Sequence, residues 1–232
     1  MQPAITNERE KRRLGQILTD FIHNWRYALW AVLILAAVFL VGFFVWTEWN
    51  KKLASDSTIA MEKVQDQYDS WKSETDEAKK ATLETELRTA LEALITRYPG
   101  HYGGQRGLFM RADVYTSGKL WDKAGQDYLD LAVKFPESYL APISLFNGGV
   151  CLEENGDRDA ALAQYQKIAA DYGDSAVAPR AIFNAGRLQE AKGSFEEAQK
   201  SYDSLEADFP SSEWTKLAKN RIIALKVEGK LK

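Results

Sequence analysis

"KFPES" at residues 134–138, "DYGDS" at 171–175 and "DFPSS" at 208–212 decide how this chain is read. Each begins 37 residues after the one before. An aromatic, then Pro or Gly, then Ser two residues on is a stop-and-restart sign. At a fixed interval it marks an internal repeat. Shifting the chain by 37 aligns further columns: Tyr98, Phe135, Tyr172 and Phe209; Ala124, Ala161 and Ala198; Tyr128, Tyr165 and Tyr202; Leu131, Ile168 and Leu205; Ala112, Gly149 and Gly186.

The columns predict two helices per repeat. Leu145, Gly148, Gly149 and Leu152 fall at i, i+3, i+4 and i+7, one stripe of a helix. The small residues in that stripe let a second helix approach closely. "ENGD" (154–157) and "AKGS" (191–194) are glycine turns. After them Ala161, Tyr165 and Ile168, and then Ala198, Tyr202 and Leu205, form the stripe of the partner helix. Pro or Gly ends that helix, and the Ser beyond it is placed to cap the next. A single pair leaves its apolar faces bare, so neighbours must stack into a continuous core.

This order of large, small and aromatic residues resembles the tetratricopeptide repeat, in a form longer than the usual period of about 34. The fold expected is all-α: one N-terminal transmembrane helix, a helical stalk, then a tetratricopeptide-repeat solenoid. Clear copies of 37 residues occupy 103–136, 140–173 and 177–210. A degenerate copy precedes them, with Trp71, Leu91, Leu94, Tyr98 and Pro99 in register but Leu87 in place of the Ala and no glycine turn. Residues 212–230 read as the terminal capping helix that a solenoid requires.

Residues 27–46, "YALWAVLILAAVFLVGFFVW", carry no charge. A helix of that length spans about 30 Å, the thickness of a bilayer core. Twelve of the 20 are Leu, Ile, Val or Phe; together they favour insertion by about 4–7 kcal/mol. Trp25, Tyr27 and Trp30 at one end, and Trp46 and Trp49 at the other, match interfacial aromatic belts. Arg9, Lys11, Arg12, Arg13 and Arg26 precede the run. The positive-inside bias therefore expects a cytoplasmic N-terminus, with the repeats on the far side. The expected layout is a short basic tail at 1–26, the transmembrane helix at 27–46, a stalk with the degenerate first helix at 47–72, and the repeat domain at 73–230. Leu53, Ile59, Met61 and Val64 give the stalk a loosely helical spacing, open to self-pairing.

The chemistry-bearing residues are sparse. The one cysteine, Cys151, permits no intramolecular disulfide and no CxxC site. The two histidines, His23 and His101, have no nucleophile or ligand at a motif spacing. No catalytic residue, metal site, cofactor or small-molecule substrate is expected. Glu153–Glu154 and Glu196–Glu197 read as solvated faces, and Cys151 as a small core residue. Residues 47–232 hold 25 basic and 30 acidic side chains, which disfavours nucleic acid. A last column, Phe109, Phe146 and Phe183, follows the large apolar position of each first helix. With Arg106, Arg180, Asn147, Asn184 and Arg187 nearby, it forms an aromatic ladder suited to a peptide-binding groove. The alternative reading is that each Phe packs against the next repeat.

The order of basic tail, span ending "FFVWTEWNKK" (43–52), stalk, and repeats opening "HYGGQRGLFMRADVYTSGKLWDKAGQDY" (101–128) resembles the YfgM-like family of ancillary translocon subunits. The "FPxS" joints are similar to repeats of the Tol-Pal coordinator and of an outer-membrane assembly lipoprotein. The first resemblance implies a bacterial inner-membrane protein with periplasmic repeats. It would bind channel subunits and periplasmic chaperones and pass emerging chains between them. The alternative is a structural scaffold in an envelope machine, such as a flagellar-motor collar, an outer-membrane assembly or a constriction complex.

Overall fold

The computed structural model describes residues 4–231. The side chains of Arg9 and Lys11, which enter the orientation argument, lie outside the described residues. The chain divides into two compact units, Met1–Leu53 and Ala54–Lys232. Helix α1, Ala4–Ser73, contributes to both.

In the first unit α1 is exposed along its apolar length, from Leu29 to Val45. It is long and apolar enough to cross a membrane, and none of its most apolar window is buried. Phe39 stacks on Phe43, and Phe43 leans on Trp46, so the aromatic rings shield one another along one side.

The second unit is a stack of antiparallel helix pairs. The last part of α1 pairs with α2 (Glu77–Arg97), α3 (Tyr102–Ser117) with α4 (Trp121–Lys134), α5 (Ala141–Glu154) with α6 (Arg158–Asp171), and α7 (Ala178–Ala191) with α8 (Phe195–Asp208). α9 (Glu213–Val227) closes the stack against α7 and α8. Ala124, Ala161 and Ala198 are fully buried, as are Tyr165, Leu131, Ile168 and Leu205 in their columns. An alanine there brings two helices together, and the Tyr and aliphatic positions fill the space beside it.

Three features differ from the sequence reading. Met61 and Val64, at 3% and 7% exposure, are buried in the second unit, so residues from Ala54 onward form the first helix of the first pair. Ser57 belongs to that packing: its Oγ accepts the Gly103 N–H at 2.7 Å. Self-pairing through Met61 and Val64 is therefore closed off. Secondly, Ser138 and Ser175 do not cap the next helix. Their carbonyls accept the Ala141 and Ala178 N–H groups at 2.9 and 3.0 Å, which adds a turn before each helix begins. Pro142 and Pro179 then occupy the first helical turn, where a cap would need an N–H. Ser212, with no proline after it, does cap α9 and accepts the Trp214 N–H at 3.2 Å. Thirdly, Glu153 is not a solvated side chain; its partners are described below.

Candidate functional site

Each Phe of the ladder packs on the Tyr of its own repeat. Ring centroids are 5.4 Å apart for Phe109–Tyr128, 5.3 Å for Phe146–Tyr165 and 5.6 Å for Phe183–Tyr202. Phe183 also meets Trp214 of the closing helix α9 at 5.4 Å. Phe146 is buried at 2% exposure, whereas Phe109 and Phe183 are half-buried. The three rings thus share one periodic setting, and two of them retain open surface.

The polar neighbours serve different ends. Asn184 donates to the Arg180 carbonyl at 2.8 Å and accepts from Arg187 Nη2 at 3.1 Å. Arg187, so held, reaches across to Glu153 of the preceding repeat at 2.6 Å. Tyr165 donates to the same Glu153 carboxylate at 3.5 Å. One repeat later, Tyr202 donates to Glu190 at 2.5 Å and Arg221 pairs with Glu190. Asn147 is half-buried on α5, beside the Tyr128 hydroxyl. Two further ties between repeats occupy matching positions: Asn155 to Asp122 at 2.6 Å and Lys192 to Asp159 at 2.7 Å. The 37-residue shift aligns those pairs too: the acceptor is Asp in both, whereas the donor changes from Asn155 to Lys192. Arg111, which no column flagged, makes a bidentate pair with Asp127 at 2.7 and 2.8 Å.

Arg106 and Arg180 behave otherwise. Arg106 donates to Gln65 at 3.2 Å, and its Nε is buried without a partner. Arg180 lies over the Phe146 ring at 4.3 Å and 5.7 Å from the Trp214 ring. Neither has a carboxylate partner among the described residues. Between α3, α5 and the joint before α7 lies an apolar cleft of about 600 Å³. Arg106, Phe109, Tyr139, Ile143, Ser175 and Val177 line it. Tyr139, 68% exposed, stands at its mouth. The Ser175 Oγ is buried and unpartnered.

A tetratricopeptide-repeat family model matches residues 146–213. The chain contains tetratricopeptide repeats, and these form protein-interaction modules. No curated protein matches the chain. The matched stretch runs from Phe146, within α5, to Glu213 at the start of α9, and so covers the rest of α5, α6 and the α7/α8 pair.

Burial pushes the Cys151 thiol up, so it stays protonated and weakly nucleophilic. Burial raises Tyr128, Tyr165 and Tyr202 as well. No group of three His, Cys, Asp or Glu side chains that would hold a metal occurs among the described residues. At Glu190, burial opposes the charge, but hydrogen bonds from Arg221 and Tyr202 outweigh it and hold the carboxyl below the usual range. Its folded pKa therefore lies below the unfolded value of about 4.3. The stabilisation is complete above that pH and is lost as pH falls through the lower folded pKa. Glu190→Gln should accordingly lower the melting temperature at pH 7 and shrink its fall between pH 6 and pH 3, read by circular dichroism. An unchanged acid limb would remove Glu190 from the account.

All five belt residues, Trp25, Tyr27, Trp30, Trp46 and Trp49, are exposed on the first unit. Arg26 lies over the Tyr27 ring at 4.7 Å and donates to its hydroxyl at 3.1 Å. A charged group held against an amphipathic ring suits a polar–apolar boundary.

Proposed function

We propose that this protein is a single-pass inner-membrane adaptor, anchored through residues 27–46, whose periplasmic repeats bind protein segments beside the protein-conducting channel and pass them to periplasmic chaperones. The carrying observation is an open apolar cleft on the first-helix face of a repeat stack that shares its chain with an exposed apolar helix. Tethering a binding face to the membrane raises its effective concentration for segments emerging there, with no catalytic step. The resemblance of residues 1–130 to YfgM-like proteins supports the choice of the channel as neighbour. The basic residues before the span support a cytoplasmic N-terminus.

A scaffold role in an envelope machine is the second reading. It is favoured by Ile223 and Val227 of α9, 61% and 83% exposed at the open end of the stack. The two readings separate by photocrosslinking in intact cells from position 139, at the mouth of the cleft, and from position 227. Many secreted chains together with channel subunits at position 139 are expected for the adaptor. A single partner in fixed ratio at position 227, with position 139 silent, would instead establish the scaffold. Position 146 is unsuited to this probe, because Phe146 is buried.

A further inference from the structure

At its far end the repeat stack is closed by α9. The first pair has no such helix before it in the repeat unit. Met61 and Val64 are taken up in packing, but Ile59 is 52% exposed. A second groove, of about 480 Å³, runs here between the last part of α1 and α2. Asp56, Ile59, Ala60, Ala90, Ala93 and Arg97 are among its lining residues. A terminal repeat of a solenoid ordinarily turns a polar face outward. This one presents an isoleucine and three alanines, and alanines let another helix approach closely.

The charges around the groove narrow the occupant. Asp56 and Lys63 have no ion-pair partner among the described residues, and Arg97 turns to its neighbour Tyr98 at 3.3 Å. A wholly basic partner would meet Lys63 and Arg97, and a wholly acidic one Asp56. A face that carries both signs around small side chains complements itself. α1 and α2 run antiparallel across the groove, which sets Asp56 near the level of Arg97 and Ala60 near that of Ala93. Anchoring points the same way. Ile59 follows Trp49 by ten residues, so chain reach keeps it within about 36 Å of that end of the span. Chains inserted in one direction carry this face at one height, where a two-fold axis along the membrane normal brings it to itself. Confinement to the membrane raises the effective concentration, so a small contact suffices.

Resting on the reading of residues 27–46 as an anchor, we infer that this groove pairs with the same groove of a second copy of the chain. The contact is a four-helix bundle of two α1 and two α2 segments in alternating direction. Asp56 of each copy pairs with Arg97 of the other, and Ile59 seats between Ala90 and Ala93 of the other. Glu86, exposed one helical turn before Ala90 on the same stripe, meets Lys63 across the contact.

The test uses the full chain with Cys151→Ala, in membranes of cells that make two differently tagged copies. One copy carries Ala60→Cys and the other Ala93→Cys, and a short bismaleimide joins them. The mixed dimer should exceed that of two Val133→Cys copies, exposed on α4, at least tenfold. Asp56→Arg in both copies should cut the yield at least fivefold. Adding Arg97→Asp to both should restore it, an outcome that misfolding does not produce. Failure of that restoration overturns the inferred pairing. A yield no higher than the Val133→Cys baseline, in chains that stay carbonate-resistant, overturns the pairing and leaves the anchor standing. Release of the chains into the carbonate supernatant overturns the anchor and the inference with it. Joining of Ala60→Cys to a different protein in place of the second copy overturns the inference and gives the groove to that partner.

Discussion

Gly186→Val is expected to destabilise the last repeat pair by about 3 kcal/mol or more, the top of the usual range for overpacking. A Cβ at Gly186 would sit 2.5 Å from Tyr202 Cε1 and 2.8 Å from its Cζ. The Tyr202 ring is 1% exposed, pressed by Phe183 and tied through its hydroxyl to Glu190. It therefore has little room to yield. Helix propensity alone would favour replacing the glycine, since Gly costs about 1 kcal/mol relative to Ala in a helix. The close approach decides the sign. The repeat with alanine at this position shows how a single methyl is tolerated. Beside Ala112 the Phe109 and Tyr128 rings meet edge-on at 71°, whereas in the glycine repeats the corresponding angles are 36° and 40°. Gly186→Ala should thus cost less, about 1–2 kcal/mol, and the valine branches should exceed what ring rotation can absorb. Urea unfolding followed by circular dichroism gives the magnitude. Amide hydrogen exchange should place the loss in α7–α9, because each repeat of a solenoid contacts only its neighbours. Stability equal to the parent chain would mean that the Tyr column is more loosely held than its burial indicates.

The same column explains what could be read from the letters alone. Ala161, Tyr165 and Ile168 recur because one packing problem is solved three times, and identical solutions show as identical letters. The Phe column was visible for the same reason. Its partner was not, because Phe146 and Tyr165 lie 19 positions apart on different helices of one pair. Glu153 beside a glycine turn looks solvated until Arg187 arrives from the next repeat. The first pair was obscured at its joint. Residues 74–76 turn with no Gly or Pro: Glu74 Oε1 accepts two backbone N–H groups, and Asp76 caps α2 by accepting the Lys79 N–H at 2.9 Å. A turn built from acidic side chains leaves a weaker mark than the three glycine or proline signs, so Met61 and Val64 read as a stalk rather than as core. Arg106 and Arg180 were legible as residues near the groove. That they lack carboxylate partners became visible only once the paired arginines could be set beside them.

Leu35→Arg, Val38→Arg and Phe39→Arg together should move the protein out of the carbonate-resistant membrane fraction. The apolar residues of 27–46 favour insertion by about 4–7 kcal/mol. Each arginine near the centre of the span opposes it by about 2.5–3.5 kcal/mol, so three outweigh the whole favourable sum. All three positions are exposed on α1, which keeps the repeat packing of Ala54–Lys232 out of the comparison. The intact repeats provide the internal control: helicity and urea unfolding of the second unit should be unchanged while membrane retention falls at least tenfold. A chain that stays carbonate-resistant with three central arginines would be held by something other than residues 27–46, and the anchored-adaptor reading would then lose its geometric basis. Effective concentration works only if the binding face is tethered where segments emerge. If the triple variant is released and photocrosslinking from position 139 is lost with it, anchor and cleft act as one device. If released protein still captures the same partners at the same yield, the cleft alone carries the recognition and the anchor only sets its location.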